Sequence, residues 1–243
     1  MKILLFDIDG TLLTTHGAGA STIETVLRDD FGVADPDTSV NFAGRTDQGL
    51  LREIMANNGL ADTREGFEQF RNAYCNRFPD HIRRVGGRVL EGAEALLRAC
   101  RDSRHHRVFS MTGNCYPVAK EKLAFFGLAS LIERVFGGDE DVIRDDMAKR
   151  THATMVDEGV VPSPIHDAAA NDASNRNSNA KGNAAEIVVI GDTPADIHCA
   201  RAIDATVIAV ATGRYDADEL RSHQPDHMFG TLGHPGVAAA LGL

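Results

Sequence analysis

Carboxylate residues directly follow a short apolar run near the start of the chain. The run 3–6 is Ile-Leu-Leu-Phe, and Asp7, Asp9, Gly10 and Thr11 come within the next five positions. Two carboxylates this close repel each other unless one keeps a proton or a cation lies between them. One carboxylate could attack phosphorus as a nucleophile, while the other could move a proton to and from the reacting oxygens. This segment therefore predicts nucleophilic and acid–base chemistry on a phosphate ester.

A second polar segment, Thr112-Gly113-Asn114, follows another predicted strand, 107–111. A hydroxyl group and nearby backbone N–H groups can bind phosphoryl oxygens without adding negative charge. The glycines of both segments would let the backbone approach a ligand closely. We therefore expect four residues to contribute to phosphate binding beside the catalytic Thr112: Gly10, Thr11, Gly113 and Asn114.

A third acidic segment follows the apolar run 187–190 and contains Asp192 and Asp196. If the three apolar runs are parallel strands, their carboxyl ends meet at one edge of the sheet, where ligands bind. Asp7, Asp192 and Asp196 would then form an oxygen-rich pocket of the kind that suits Mg²⁺. The sequence therefore predicts a magnesium-dependent site.

The order of elements predicts an α/β fold. Apolar strand patterns alternate with helical patterns from residue 87 onward, which is typical of βαβ units and a mostly parallel, Rossmann-like sheet. Between about 15 and 86 only helical patterns occur. We predict a catalytic core made of 1–14 and 87–243, interrupted by an inserted all-helical cap domain over 15–86. Gly17/Gly19 and Gly86/Gly87 would be the linkers.

The segment 162–185 differs from the rest of the core. It is rich in Asn, Ser and Ala and has almost no large apolar side chains. Such a composition cannot build a packed core. We predict a mobile surface excursion there.

Composition limits the classes of partner. The 243 residues carry 25 basic and 35 acidic side chains, a formal charge of −10. This balance disfavours nonspecific binding to nucleic acid or an anionic membrane, which needs a basic surface. No apolar run approaches the roughly 20 residues of a membrane span, and the four cysteines show no C-x-x-C pair. We predict a cytoplasmic protein with free thiols that acts on a small molecule, as a monomer or homodimer.

The three motifs together resemble the haloacid dehalogenase-like (HAD) hydrolase superfamily: Asp7-Ile8-Asp9-Gly10-Thr11, Thr112, and Gly191-Asp192 through Asp196. The helical insertion resembles the cap of phosphoglycolate phosphatase and β-phosphoglucomutase relatives. The resemblance implies that Asp7 is the nucleophile, forming an aspartyl-phosphate, and that Asp9 is the general acid and base. It also implies Mg²⁺ held by the Asp7 side chain, the Asp9 carbonyl and Asp192, with Asp196 supporting.

The family also has a basic residue that steadies the nucleophile and the phosphate. Two candidates lie in the helix expected over 141–158: Arg144 near its start and Lys149 more than one turn later. A helix start lies closer to the catalytic edge of the sheet. We therefore favour Arg144 over Lys149.

The predicted cap offers candidates for substrate specificity. Arg45 lies in the turn Phe42-Ala43-Gly44-Arg45-Thr46-Asp47, and it could bind a second anionic group on the substrate. Thr46 or Asp47 could instead simply cap the following helix. His16, just past the first acidic segment, is either a pocket residue or a polar linker.

These observations favour a Mg²⁺-dependent phosphatase acting on a small phosphorylated metabolite, with phosphoglycolate as the leading guess by resemblance. Four alternatives stay open: a phosphomutase of the β-phosphoglucomutase type, a haloacid dehalogenase, a non-catalytic phosphoacceptor protein and an inactive binding protein. Asp9 argues against the dehalogenase, whose chemistry needs no second aspartate. The helical insertion and the position of Asp7 on the first strand argue against a phosphoacceptor domain.

Overall fold

The computed structural model describes residues 1–162 and 185–243. The predicted surface excursion over 162–185 therefore lies, except for its two end residues, outside the described residues. Within the two ranges, no helix is both long enough and apolar enough to cross a membrane.

The core of the fold is a six-stranded parallel sheet. Its strands in chain order are β1 (Lys2–Phe6), β4 (His106–Met111), β5 (Arg134–Phe136), β6 (Glu186–Gly191), β7 (Thr206–Val210) and β8 (His227–Phe229). Their order across the sheet is β5-β4-β1-β6-β7-β8. Strand β1 lies between β4 and β6, so the three predicted motifs follow three adjacent strands. The predicted α/β fold is confirmed.

Both faces of the sheet are buried, as β1 shows. Leu4 and Phe6 pack into one hydrophobic cluster, while Ile3 and Leu5 pack into another on the opposite face. Successive side chains of a strand point to opposite faces, so a continuous apolar run indicates a strand covered on both sides. The helices that accompany this sheet are α4 (Ala93–Asp102), α5 (Tyr116–Phe125), α6 (Arg144–Asp157), α7 (Pro194–Ala202), α8 (Ala217–Ser222) and α9 (Pro235–Leu241).

Three helices follow the first strand and form a block with its own core: α1 (Ala18–Asp29), α2 (Asp47–Asn57) and α3 (Arg64–Val85). Leu27, Leu51, Phe70 and Phe78 are fully buried in that core. Helix α3 continues through Pro79, because Phe78 and Ile82 on either side of it are anchored in the core. The helical cap is thus present as expected, although its boundaries at 15 and 86 stay a prediction.

A short antiparallel pair of strands connects the segment that enters the helical block with the segment that leaves it. Strands β2 (Leu13–Thr14) and β3 (Arg88–Val89) pair directly, with Leu13 opposite Val89. We did not predict this pair, nor β8, because strands of two or three residues have no readable periodicity. The pairing ties the entry and exit of the helical block together beside the catalytic edge of the sheet.

Candidate active site

The carboxyl ends of β1, β4 and β6 open into a cavity of about 700 Å³ between the sheet and the helical block. Most of the predicted site residues line it: Asp7, Asp9, Gly10, Arg45, Thr112, Gly113, Asn114, Arg144 and Asp192. Residues of the helical block, among them Phe42 and Tyr74, close the other side. The three motifs therefore converge on one site, as the parallel topology requires.

A tight turn after β1 places the first carboxylates. Gly10 adopts φ +82°, a conformation that favours glycine, and its N–H donates to the Leu13 carbonyl at 2.9 Å. A side chain at Gly10 would also collide with the Asp192 carboxylate. Glycine is therefore needed here for the backbone and for room beside a second acidic group. Thr11, whose predicted role was phosphate binding, is fully buried and donates to Asp192 Oδ1 at 2.9 Å.

Three buried carboxylates form a cluster at the base of the cavity. Asp7, Asp192 and Asp196 each offer an oxygen within 4.8 Å of the others. Burial, followed by repulsion from Asp196, raises the pKa of Asp7 to about 7. Burial and repulsion from Asp196 also raise the pKa of Asp192 well above its ordinary value. The cluster thus holds more negative charge than it can stabilise alone.

The cluster fits a divalent cation by the chemistry of its donors. Three carboxylates in reach of one point are hard oxygen ligands, and their mutual repulsion is relieved when a cation lies between them. The side chain of Asp9 is not part of this cluster; its predicted contribution was the backbone carbonyl, which stays a prediction. The residues that would hold Mg²⁺ by their side chains are Asp7 and Asp192, and Asp196, whose oxygens already accept from Arg144 and Thr193, would support the site directly or through water.

We expect Mg²⁺ to stabilise the protein more strongly as the pH rises from about 5.5 to 8. Because the folded-state pKa of Asp7 is raised, its proton stabilises the metal-free fold at low pH, and this contribution is lost as the pH passes about 7. The metal binds only the ionised form. When the Mg²⁺ concentration is ten times the dissociation constant, the melting temperature at pH 8 should rise by about 3–6 °C. Thermal melts of the wild type and Asp192→Asn measure this; equal shifts in both proteins would contradict the assignment.

Arg144 is the basic residue that reaches the carboxylate cluster. It lies at the start of α6, is 8 % exposed, and forms an ion pair with Asp196. Its guanidinium also lies 3.5 Å from Asp7 Oδ1. Asp196 is fixed in turn by Thr193, whose hydroxyl donates to it at 2.7 Å in the capping box of α7. One cation thus contacts the predicted nucleophile and a predicted metal ligand.

Lys149 does not enter the cavity. It lies on the exposed side of α6, and its ammonium pairs with Asp146 at 3.3 Å. The side chains of positions 144 and 149 project in different directions because a helix turns about 100° per residue. Of the two candidates, only Arg144 is placed to contact Asp7, and the inclusion of Lys149 among the catalytic residues disagrees with its position.

The residues after β4 contact the second carboxylate of the first motif. The Asn114 amide donates to Asp9 Oδ2 at 2.7 Å and to the Thr112 hydroxyl at 2.8 Å. Lys122 from α5 also donates to Asp9 Oδ2, at 2.6 Å. Asp7 and Asp9 therefore have different partners although they are two residues apart: Asp7 faces Arg144 and the acidic cluster, and Asp9 faces an amide and an ammonium.

Sequence reasoning missed Lys122. Its signal is a lysine on an apolar helix face: Val118 and Lys122 are four residues apart, and both are buried. Only five lysines occur in the chain, and a lysine is almost never fully buried without a partner. A charged residue at an apolar position of a helix next to a motif therefore marks a site candidate.

The turn before α2 contacts the core directly. Thr46 caps the helix, accepting the Gly49 N–H at 3.2 Å, as the simpler interpretation proposed. Asp47 is buried and accepts the Cys115 N–H at 2.7 Å, while burial raises its pKa to about 6. A Cβ on Gly113 would collide with the Arg45 carbonyl. The helical block and the second motif are thus in close backbone contact.

Two residues predicted as specificity candidates lie at the cavity wall. Arg45 lines the cavity, but its guanidinium pairs with Glu53 at 2.7 Å, so binding a substrate anion would compete with that pair. His16 is exposed and lines the cavity with φ +47°. Arg88 and Arg214, which sequence reasoning did not consider, also line it. The mouth of this acidic site therefore carries several basic side chains.

The family profile described as haloacid dehalogenase-like hydrolase matches residues 4–201. The chain belongs to this family and is a hydrolase, as the motifs predicted. The phosphoglycolate phosphatase of Rhodospirillum rubrum is 26 % identical over 218 residues, which cover 87 % of this chain and 80 % of that protein.

Solved structures with the same fold cover the whole chain. CbbY from Rhodobacter sphaeroides, in complex with phosphate, superposes with a TM-score of 0.72 at 14 % identity, covering 100 % of both chains. A Thermotoga maritima protein provisionally described as a β-phosphoglucomutase has a TM-score of 0.61 at 15 % identity, again covering 100 % of both. At these identities the similarity establishes the fold and leaves the choice between phosphatase and mutase to the site.

Proposed function

We propose that the protein is a Mg²⁺-dependent phosphatase that hydrolyses a small phosphorylated metabolite through an aspartyl-phosphate on Asp7. The observation that carries this proposal is the separation of the two aspartates of the first motif. Asp7 lies in the acidic cluster beside Arg144, and Asp9 lies outside it beside Asn114 and Lys122. Different surroundings suit two carboxylates with different roles.

In the first step, an Asp7 carboxylate oxygen attacks phosphorus, and the bond from phosphorus to the ester oxygen breaks. Asp9 gives its proton to the departing oxygen, so the alcohol leaves neutral. Arg144 offsets the negative charge near Asp7 and orients its carboxylate. Thr112 and the backbone around Gly113, at the same edge of the sheet, would donate hydrogen bonds to the phosphoryl oxygens.

In the second step, Asp9 takes a proton from a water molecule as the water oxygen attacks phosphorus. The bond from phosphorus to the Asp7 oxygen breaks, which releases phosphate and restores the Asp7 carboxylate and the protonated Asp9 carboxyl group. When bound, Mg²⁺ supplies charge that neutralises the carboxylates and the phosphoryl oxygens and lets an anion approach an acidic site. That role would explain how a protein with a formal charge of −10 can bind an anionic substrate.

The helical block would select the substrate. Phe42, Arg45 and Tyr74 of the helical block line the cavity together with His16. A volume of about 700 Å³ lies in the range of pockets that bind small molecules. The R. rubrum relative makes phosphoglycolate the first substrate to test. A cytoplasmic location and a monomeric or dimeric state stay predictions.

A panel of small phosphate esters, assayed with Mg²⁺, tests the proposed function. We expect turnover of at least one ester, with kcat/KM of about 10⁴ M⁻¹s⁻¹ or more for the physiological substrate, and loss of turnover on chelation. A panel of 2-haloacids is the matched control. Hydrolysis of a haloacid without metal, and of no ester, would contradict the proposal.

The mutase stays the second candidate, because the Thermotoga structure shares the fold over the full length. A mutase returns the phosphoryl group to a sugar instead of giving it to water. Incubating the protein with β-glucose 1-phosphate and Mg²⁺ separates the two: free phosphate supports the phosphatase, and glucose 6-phosphate supports the mutase.

A further inference from the structure

Lys122 is a buried cation for which the proposed mechanism has no role so far. It lies on the inner face of α5 with 4 % exposure, next to the apolar Val118 and Leu123. Burying a charge is costly unless the charge is paired and hydrogen-bonded, so an apolar side chain would pack more easily here. The position of Lys122 therefore calls for an explanation beyond packing.

The ammonium of Lys122 completes a closed set of hydrogen bonds around Asp9. Its Nζ lies 2.6 Å from Asp9 Oδ2 and 2.7 Å from Asn114 Oδ1. The amide of Asn114 donates to the same Asp9 oxygen at 2.7 Å and to Thr112 at 2.8 Å. Lys122 thereby also determines which way the Asn114 amide faces, because its ammonium can only donate and so requires the amide oxygen.

These bonds leave the two oxygens of Asp9 in different situations. Both donors contact Oδ2, and no residue that the structure describes donates to Oδ1. The side chain of Asp9 is 40 % exposed toward the cavity, while that of Lys122 is 5 % exposed behind it. Two convergent donors fix the rotation of the carboxylate, so Oδ1 is the oxygen left for a reacting group.

The helical block helps to hold Lys122 in place. The ring of Phe78, on α3, has its centroid 5.6 Å from Nζ, a distance at which an aromatic face attracts a cation. Phe78 is fully buried in the core of that block. The ammonium is thus bounded by Asp9 and Asn114 on one side and by the helical block on the other.

We propose that Lys122 is a positioning residue that, together with Asn114, orients the carboxyl group of Asp9 so that Oδ1 faces the departing ester oxygen and then the attacking water. This rests on the proposed function, in which Asp9 transfers the proton. Lys122 itself touches neither the phosphoryl group nor the nucleophile in this proposal. Its effect on rate passes entirely through Asp9.

The test compares Lys122→Met on two substrates that differ in how much they need a proton donor. The leaving group of an alkyl phosphate such as 2-phosphoglycolate needs protonation, whereas that of p-nitrophenyl phosphate is stable as an anion. We expect kcat/KM to fall about 100-fold for the alkyl ester and less than about fivefold for the aryl ester. In the Asp9→Asn background, Lys122→Met should cause no further loss on the alkyl ester, since the residues act as a unit.

The matched control is Lys120→Met, which removes a lysine from the exposed side of the same helix. We expect it to change neither substrate, and thermal melts verify that the variants are folded. Equal losses on both esters, or a full further loss in the Asp9→Asn background, would overturn the role of Lys122 and leave the proposed function standing. A wild-type protein that hydrolyses neither ester would instead overturn the proposed function, and this role with it.

Discussion

Replacing Asp7 with asparagine is expected to reduce kcat by at least about 10⁴-fold, the scale seen when an enzyme loses its nucleophile. The amide has nearly the same shape as the carboxylate but cannot form an acyl phosphate by displacement. The charge changes as well, because Asp7 is one of three carboxylates within 4.8 Å of one another. Steady-state phosphate release with the best ester of the panel measures the effect.

The fold should survive this substitution. Burial, followed by repulsion from Asp196, raises the pKa of Asp7, so an uncharged side chain relieves a cost at pH 8. We therefore expect a melting temperature equal to or above that of the metal-free wild type. Thr151→Val is the control, because it changes a fully buried side chain of α6 that does not line the cavity. It shows what a substitution in the core alone does to the melting temperature and to turnover. Asp7→Asn that retains turnover would contradict the nucleophilic role.

Arg144→Met is expected to have the second largest effect, a loss of about 10²–10³-fold in kcat, as when one preorganised electrostatic group is removed. It leaves Asp7 and Asp196 without their shared cation. Leaving buried charges unpaired costs about 3–5 kcal/mol of unfolding free energy, so the metal-free variant should be destabilised as well. Urea unfolding and steady-state kinetics at pH 8 measure the two effects separately.

Lys149→Met distinguishes between the two candidates for the basic residue. Lys149 is paired with Asp146 on the exposed side of the same helix. Its removal should change the unfolding free energy by no more than about 0.5 kcal/mol and leave kcat within a factor of two. If Lys149→Met lost turnover and Arg144→Met kept it, the assignment drawn from the structure would be wrong.

The convergence of the motifs was predictable from the sequence. The segments before Asp7, Thr112 and Asp192 were each predicted as strands, and parallel strands bring their carboxyl ends to one edge. For Gly10 the sequence predicted a close approach of the backbone to a ligand, but not the positive φ or the neighbouring Asp192 carboxylate that also require glycine there. These features depend on local patterns and on one general rule of topology.

The side-chain partners were not predictable in the same way. Arg144 and Lys149 are both basic and lie on one helix, and only the rotation of α6 against the sheet decides which one faces Asp7. The place of Lys122 on an apolar helix face marks it as a candidate, but its partner Asp9 lies 113 positions away in sequence, and no local pattern indicates that contact. The pair β2–β3 was missed because its strands have two residues each. The rotation of α6, the contact between Lys122 and Asp9 and the β2–β3 pair all depend on how distant parts of the chain pack together, which local sequence patterns do not determine.

Part of the excess of acidic over basic residues lies in the active site. Asp7, Asp192 and Asp196 are buried, so their charges are not surface charge that repels a substrate from a distance. Arg45, Arg88 and Arg214 line the same cavity. An anionic metabolite would therefore meet basic side chains at the cavity wall before it reaches the carboxylates.

Trapping the aspartyl-phosphate tests directly whether Asp7 is the nucleophile. The enzyme is mixed with Mg²⁺ and excess ³²P-labelled ester, quenched in acid within milliseconds, and the labelled peptide is identified by mass spectrometry. We expect phosphate bound covalently to Asp7, in a linkage cleaved by hydroxylamine, and no label in Asp7→Asn. Full turnover with no covalent phosphate at any quench time, or label on a residue other than Asp7, would contradict it.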